Sequence, residues 1–229
     1  MKISILTGAG ISAESGIPTF RGPGGLWEGY RLEEVATPEA YQQDPELVLR
    51  FYNERRNGVI KAQPNEAHNA LAKLDQYFDT YVITQNIDDL HERGGSKNIL
   101  HLHGEILKGR SSHDPELIVE LEHETIEIGH KAPDGSQLRP HVVWFGEAVP
   151  AMVQAMPIVA ESDLLLIIGT SLLVYPAAGL ASIAPSHCEI YVVDPASPDV
   201  YTSNKVHTIS SSAVEAVPSL VEKIISQYS

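Results

Sequence analysis

The chain is short of cysteine, of positive charge and of long apolar runs, and each shortage excludes something. A single cysteine, Cys188, stands in 229 residues. It cannot close an intramolecular disulfide, and it cannot supply a zinc site built from three or four thiolates. Lys and Arg number 16 against 30 Asp and Glu, a formal charge of −14. That balance argues against a binder of the phosphate backbone, so no nucleic-acid partner is expected. It is compatible with a basic peptide partner, although a solvated acidic surface is the plainer reading. The longest strongly apolar run, Leu164 to Ile168, is one strand long and far below a membrane span. The first six residues run straight into a glycine turn and leave no room for a signal peptide. A cytoplasmic, reducing setting and no membrane partner are therefore the expectations; a monomer is also expected, though nothing in the sequence fixes the oligomeric state. Hydrophobic residues make up 43%, enough for a core, and the length suits one domain or a domain with a small insert.

Short apolar runs alternate with longer amphipathic stretches. Ile3–Leu6, Thr80–Ile83, Leu164–Ile168 and Glu189–Val193 read as strands without strict alternation, which suits a parallel sheet buried on both faces. Pro45–Val59, Glu66–Tyr77, Met152–Ala160 and Ala213–Gln227 read as helices, with Asn65 as a cap. Pro157 counts against the third of them. The alternation predicts an α/β fold, a Rossmann-like doubly wound parallel sheet. Two stretches break the rhythm. Residues 17–44 are rich in Gly and Pro and read as a loop leading into a helix, and residues 107–139 read as a small excursion from the sheet.

After the first strand comes Thr7-Gly8-Ala9-Gly10-Ile11-Ser12-Ala13, in which Gly8, Gly10 and Ala13 fit G-x-G-x-x-G/A. Such a turn lets backbone approach a pyrophosphate at a helix N-terminus. Alone it reads equally well as a tight strand–helix turn. A dinucleotide-binding unit would continue into a full helix and then a strand ending in an acid. Here Ser15-Gly16-Ile17-Pro18 stops the helix early, so a covering loop is expected, with Phe20 and Arg21 placed to close over a bound nucleotide. A surface ion pair is the alternative for Arg21.

These residues, with others further on, resemble one family. The stretch from Gly8 to Arg21 looks like the first signature of the sirtuins, and Thr84-Gln85-Asn86-Ile87-Asp88-Asp89-Leu90-His91 looks like the second. Leu102-His103-Gly104 resembles the catalytic histidine motif, Val143-Trp144-Phe145-Gly146-Glu147 the acyl-lysine strand, and Gly169-Thr170-Ser171-Leu172 a later nucleotide loop. The resemblance spans nearly the whole chain. It implies an NAD-consuming lysine deacylase that acts on acyl-lysine proteins and releases nicotinamide and O-acyl-ADP-ribose. Bond breaking between nicotinamide and ribose builds positive charge on the anomeric carbon, as in glycoside hydrolysis. By the resemblance His103 is the general base on a ribose hydroxyl, a task suited to a group titrating near working pH. Asn86 would orient ribose and water, Asp88 hold the nicotinamide carboxamide, and Gln85 bond the ribose. The residues expected around NAD are Gly8, Ala9, Gly10, Ser12, Ala13, Glu14, Phe20, Arg21, Gln85, Asn86, Asp88, Gly169, Thr170, Ser171, Asp194 and Ala213. On residue type alone, Asn86 and Asp88 read as helix caps. His101 would share a strand face with His103 and is expected to be structural.

Tyr52 and Arg55 fall at i and i+3 of a predicted helix and so share a face. This Tyr-x-x-Arg resembles the pair marking the sirtuin branch that acts on acidic acyl groups, where Arg presents a planar fork to a carboxylate. Ala36 resembles the small residue that widens that branch's acyl pocket. Succinyl- or malonyl-lysine is therefore expected above acetyl-lysine, bound among Ala36, Tyr52, Arg55, Val143, Trp144, Phe145, Gly146 and Glu147. The adjacent Arg56 is expected at the surface.

The chain also departs from the family. Most sirtuins hold a small domain with four cysteines around zinc, and residues 107–139 have none. His113, Asp114, His123 and His130 match no common zinc spacing. A metal-free module is expected, held by Leu117, Ile118, Val119, Leu121, Ile126 and Ile128. Asp194 stands where the family usually has Asn near the adenosine ribose, and a carboxylate can accept from ribose hydroxyls. The expected division is 1–21, 57–106 and 140–229 for the NAD-binding domain, and 22–56 with 107–139 for the small module. Alternatives are a protein mono-ADP-ribosyltransferase and a non-catalytic NAD or ADP-ribose sensor. An ordinary NAD oxidoreductase fits poorly with the interrupted first helix.

Overall fold

A computed structural model describes residues 1–19, 26–27, 29–121 and 125–229. In chain order the strands are β1 (Lys2–Thr7), β2 (Leu26–Trp27), β3 (Tyr30–Arg31), β4 (Asp79–Thr84), β5 (Ile99–His101), β6 (Gly104–Ser111), β7 (Ile118–Glu120), β8 (Leu138–Val142), β9 (Leu164–Ile168), β10 (Glu189–Val193) and β11 (Val206–Ile209). The α-helices are α1 (Leu32–Val35), α2 (Pro38–Gln43), α3 (Pro45–Lys61), α4 (Glu66–Lys73), α5 (Leu90–Arg93), α6 (Met152–Ala160) and α7 (Ala213–Tyr228).

The central sheet has the order β11-β10-β9-β1-β4-β5 and every pairing in it is parallel. The central strands β9 and β10 are apolar almost throughout because both faces are covered. Leu164, Leu166 and Ile168 point into a core shared with α4 and α7, while Leu165 and Ile167 point into one shared with α6 and the Ala177–Ile183 turn. Helices on both faces make the sheet doubly wound, as the alternation predicts. Strand order reverses at β1, and the crevice outside the carboxyl ends at such a reversal is where this architecture binds ligands.

A second, antiparallel sheet has the order β7-β6-β8. Leu49 of α3 packs there with Leu121, Ile126, Ala132 and Leu138, and Val119 is half-buried beside them. The expected packing set is only partly correct: Ile118 is 43% exposed because β7 is an edge strand with one face to solvent, and Ile128, in the loop beyond it, is 50% exposed. A fourth cluster joins α1, α2 and α3 to Ile106, Val142 and Trp144.

Local signals explain most boundaries. Asn65 caps α4 by accepting from Ala67 N, and its amide also donates to Ile11 O, which fastens the glycine turn. Where a loop leading into one helix is expected, residues 30–43 hold β3, α1 and α2. Thr37-Pro38 starts α2 and Asp44-Pro45 starts α3, each cap side chain accepting a backbone N–H three residues on. Helix α6 runs through Pro157, since burial of Ala155 and Val159 on the sheet outweighs one missing donor. Cys188 lies buried in the same core, and burial pushes its thiol up to about 11.

Candidate active site

The site is built at the carboxyl ends of β1, β4, β5 and β9. After β1 the chain makes two short 3-10 turns, Ala9–Ile11 and Ala13–Ser15, in place of a helix, in line with the early stop at Gly16. Glycine is required here for a reason the motif does not state. A Cβ on Gly8 would stand 2.7 Å from Gly169 O, and one on Gly10 would stand 2.7 Å from Gly169 Cα. Gly169 itself has φ +62, where L side chains are disfavoured. The two loops touch backbone to backbone, locked by Gly10 N donating to Gly169 O at 2.8 Å.

The turn after β4 is polar and buried. Asn86 Nδ2 donates to Gly8 O and to Ser12 Oγ, both at 3.2 Å. Ser12 Oγ donates in turn to Asp88 Oδ2 at 3.0 Å. Asp88 also accepts from Leu90 N, the first residue of α5, although Asp89 holds the N-cap position. Burial raises the Asp88 carboxyl above its ordinary value, against these donors. Gln85 Nε2 donates to Thr170 Oγ1 at 3.0 Å, tying the β4 end to the β9 loop.

His103 follows β5. Its Nδ1 donates to Gln85 O at 3.0 Å, which fixes the tautomer and leaves Nε2 as an acceptor. Among the described residues Nε2 has no hydrogen-bond partner. Burial lowers the ring's pKa and the Gln85 bond only partly offsets it, so the ring is neutral at neutral pH. His101 does not share a strand face with His103, because β5 ends at His101 and a bend carries His103.

On the other side of the cavity stand Ala36, Tyr52, Arg55 and the 143–147 segment. Tyr52 and Arg55 are buried on the same face of α3. The Arg55 guanidinium lies over the Trp27 ring, 4.1 Å from its centroid. Burial drives the Tyr52 hydroxyl well above its ordinary value. Glu147 accepts from Arg139 Nη1 at 2.8 Å, from Arg110 Nη2 at 3.1 Å and from Trp144 N at 2.8 Å. Burial disfavours its charge, but these donors hold its pKa below the usual range. The Arg139 guanidinium also covers Trp144 at 3.3 Å.

Arg56 corrects its surface expectation. It is 1% exposed, with Nε donating to Ile106 O at 2.8 Å and Nη1 to Asn53 Oδ1 at 2.7 Å. Burial lowers its pKa to about 10. The helix α3 buries two sides, one on the aromatic cluster and one on β6, and the sequence pattern shows only the first.

These groups enclose a cavity of about 230 Å³. Gly8, Ala9, Ser12, Gln85, Asn86, Asp88, His103, Gly169, Thr170 and Ser171 line it from the sheet side. Ala36, Tyr52, Arg55, Val143, Trp144, Phe145, Gly146 and Glu147 line it from the other. Five expected contacts do not. Gly10 packs on Gly169, Ala13 and Glu14 are exposed, Asp194 caps its own turn by accepting from Ala196 N, and Ala213 is in the core at the start of α7. Phe20, Arg21 and His123 lie outside the described residues. Sequence reasoning missed Trp27 beneath Arg55 and Arg139 over Trp144. A tryptophan inside the Gly- and Pro-rich stretch was the available signal for the first. His113, Asp114 and His130 are exposed and gather no metal-ligand cluster among the described residues. Glu92, His101 and Glu105 do lie together, in an ion-pair network in which His101 meets Glu92 at 2.8 Å and Lys108 meets Glu105 at 3.0 Å. Among the described residues no helix is long and apolar enough to cross a membrane.

Comparison with known proteins agrees with this geometry. The Sir2 family model matches residues 8–176. An NAD-dependent protein deacylase of Bacteroides thetaiotaomicron is 52% identical, over 98% of this chain and 98% of its own. One of Helicobacter pylori is 50% identical, over 98% of this chain and 97% of its own. The solved structure of a Sir2 homolog–NAD complex superposes with a TM-score of 0.89 at 40% identity, covering 100% of this chain and 91% of that one. Matching motifs, matching sheet and a match across most of the length converge on one statement: the chain belongs to the Sir2 family.

Proposed function

We propose that this protein is an NAD-dependent protein-lysine deacylase that prefers acidic acyl groups, succinyl and malonyl, over acetyl, and releases nicotinamide and O-acyl-ADP-ribose. One observation carries the reading. A neutral histidine with an open Nε2 sits in one cavity with a glycine-built backbone cradle on one side and a buried Tyr–Arg pair on the other. The cradle fits a dinucleotide, since the two loops meet without side chains and present backbone at the carboxyl ends of the strands. The names of the relatives support the deacylase chemistry.

Bound NAD supplies a nicotinamide–ribose bond whose cleavage leaves an electron-poor carbon. Gly8, Ala9, Ser12, Gly169, Thr170 and Ser171 hold phosphate and ribose, with Asp194 toward the adenosine end and Gly10, Ala13, Glu14 and Ala213 shaping the turns behind. Asp88 holds the carboxamide. Asn86 and Gln85 orient the ribose, their side chains already fixed by Ser12 and Thr170. His103 takes a ribose hydroxyl proton at Nε2. The main chain of Val143 to Glu147 binds the substrate lysine, and the Glu147–Arg139–Arg110 network keeps that segment in shape. Ala36 leaves room for the acyl chain, and Arg55 with Tyr52 receives its carboxylate. We assign 1–21, 57–106 and 140–229 to the NAD-binding part, and 22–56 with 107–139 to a module that needs no zinc.

The test is incubation with NAD and matched acetyl-, succinyl- and malonyl-lysine peptides, following peptide mass and nicotinamide. Faster succinyl or malonyl loss supports the reading. Acetyl loss alone removes the acyl preference, and nicotinamide release without deacylation removes the deacylase assignment.

A further inference from the structure

Residues 101–103 are laced to residues 84–86 by three hydrogen bonds. Leu102 N donates to Thr84 O at 2.8 Å, His103 Nδ1 to Gln85 O at 3.0 Å, and His101 Nδ1 to Asn86 O at 3.0 Å. A carbonyl only accepts, so both rings carry a proton on Nδ1. The rings differ at Nε2. That of His103 belongs to the cavity, whereas that of His101 is 2.8 Å from Glu92 Oε1 on α5. Burial disfavours charge on Glu92, but His101 and Lys108 outweigh it and keep the carboxyl ionised. An ionised carboxylate also only accepts. With Glu92 ionised, a ring that holds both contacts must donate from both nitrogens, which requires the imidazolium form; His103 makes only the first of these contacts.

We propose that His101 is a positioning residue: its imidazolium clamps the Asn86 carbonyl to Glu92 and so sets the Gln85–Asp88 turn on which the reaction depends. Asn86 is thereby held at both ends, its side chain on the glycine turn and its carbonyl on a charged ring. The effect on turnover rests on the deacylase reading, while the clamp and its charge stand without it. Loss of the Nε2 proton would set a lone pair against a carboxylate at 2.8 Å, so the clamp opens as pH rises through the His101 pKa. That pKa lies above the ordinary value: burial lowers it, but Glu92, the Asn86 carbonyl and Glu105 raise it further. The other groups that sense the ring are Asp88 in the turn, His91 on α5 and His141 on β8, and Lys108 on β6 screens Glu92.

The test uses the full chain and Glu92→Gln, which keeps an acceptor oxygen and removes the charge. Imidazole 15N NMR of the wild type is expected to show His101 protonated on both nitrogens at pH 7. In Glu92→Gln its pKa should fall by at least about one unit, the effect of losing an adjacent opposite charge. The alkaline limb of kcat should move to lower pH with it, and the acid limb set by His103 should stay. Calorimetric NAD affinity of His101→Ala should drop on the order of tenfold or more, the scale of a misplaced positioning group. A neutral His101 ring at pH 7 in the wild type, or an unshifted pKa and alkaline limb in Glu92→Gln, overturns the proposal. If His101 titrates as stated but no acyl peptide is turned over at any pH, the deacylase reading fails and the clamp survives.

Discussion

Arg55→Met isolates the group that would read the acyl carboxylate. Methionine keeps much of the stem and its packing against Phe51 and Trp27, and removes the guanidinium. Arg55 is only 7% exposed and its guanidinium lies 4.1 Å from the Trp27 centroid. A charge-assisted bond made there is not diluted by solvent as a surface pair is. Such a bond is worth about 1.5–3 kcal/mol, so kcat/KM on succinyl-lysine peptide should fall roughly ten- to a hundredfold. Acetyl-lysine has no carboxylate to lose. Its kcat/KM should stay within about threefold, the size of a small packing change. The cation–π contact with Trp27 is lost for both substrates, which lowers stability by about 0.5–2 kcal/mol; thermal unfolding measures that separately. Steady-state kinetics on the two peptides, taken well below the variant's Tm, decides the matter. Equal losses on both peptides would refute the carboxylate role and leave Arg55 as a packing residue.

Other perturbations probe the frame around that pocket. In Gly169→Ala the new Cβ would overlap Ile11 N and stand 2.7 Å from the Gly10 carbonyl carbon, at φ +62; denaturant unfolding should show a loss of about 1–3 kcal/mol, with NAD affinity falling in parallel. Asn53→Ala breaks a double link in which Nδ2 donates to Ile126 O and Oδ1 accepts from Ile126 N, both at 2.9 Å; hydrogen exchange should rise first in residues 125–139, and uniform exchange would contradict a locally held module. Chelation followed by whole-protein metal analysis should find no stoichiometric zinc and unchanged unfolding, whereas one zinc per chain would overturn the metal-free module. His68 is fully buried and its pKa is lowered to about 4, first by burial and then by Arg93. Below pH 6.5 the unfolded chain takes up a proton that the folded one refuses, so stability falls as pH drops from about 6.5 to about 4, by about 3 kcal/mol. His91, buried beside it at 5.0 Å between ring centroids, acts in the same direction. A stability profile that is flat over this window would show that neither ring is held neutral.

What the sequence made legible follows from the kind of interaction involved. The strands of the central sheet announce themselves because both faces are buried, and five apolar residues in a row such as Leu164–Ile168 need no partner to be read. Edge strands do not. Val206–Ile209 pairs only on one side and is half-exposed, and Ile99–His101 is three residues long, so neither shows a run above background. The cavity lining was legible where particular residue types lie near one another in sequence, as in Gln85 to Asp88 and His103. It was not legible where contact is made across the fold. Gly10 looks like a ligand contact in a motif, yet its lack of a side chain serves Gly169, 159 positions away. Arg55 and Arg56 are neighbours of one residue type on one helix. One faces the cavity and the other closes an orphan carbonyl on β6, and only the third dimension separates them. The same holds for the histidines. His101 and His103 grip consecutive carbonyls with the same nitrogen, and only His101 meets a carboxylate, Glu92 of α5, at its other nitrogen. The difference between the two rings therefore resides in Glu92, a residue that no motif marks.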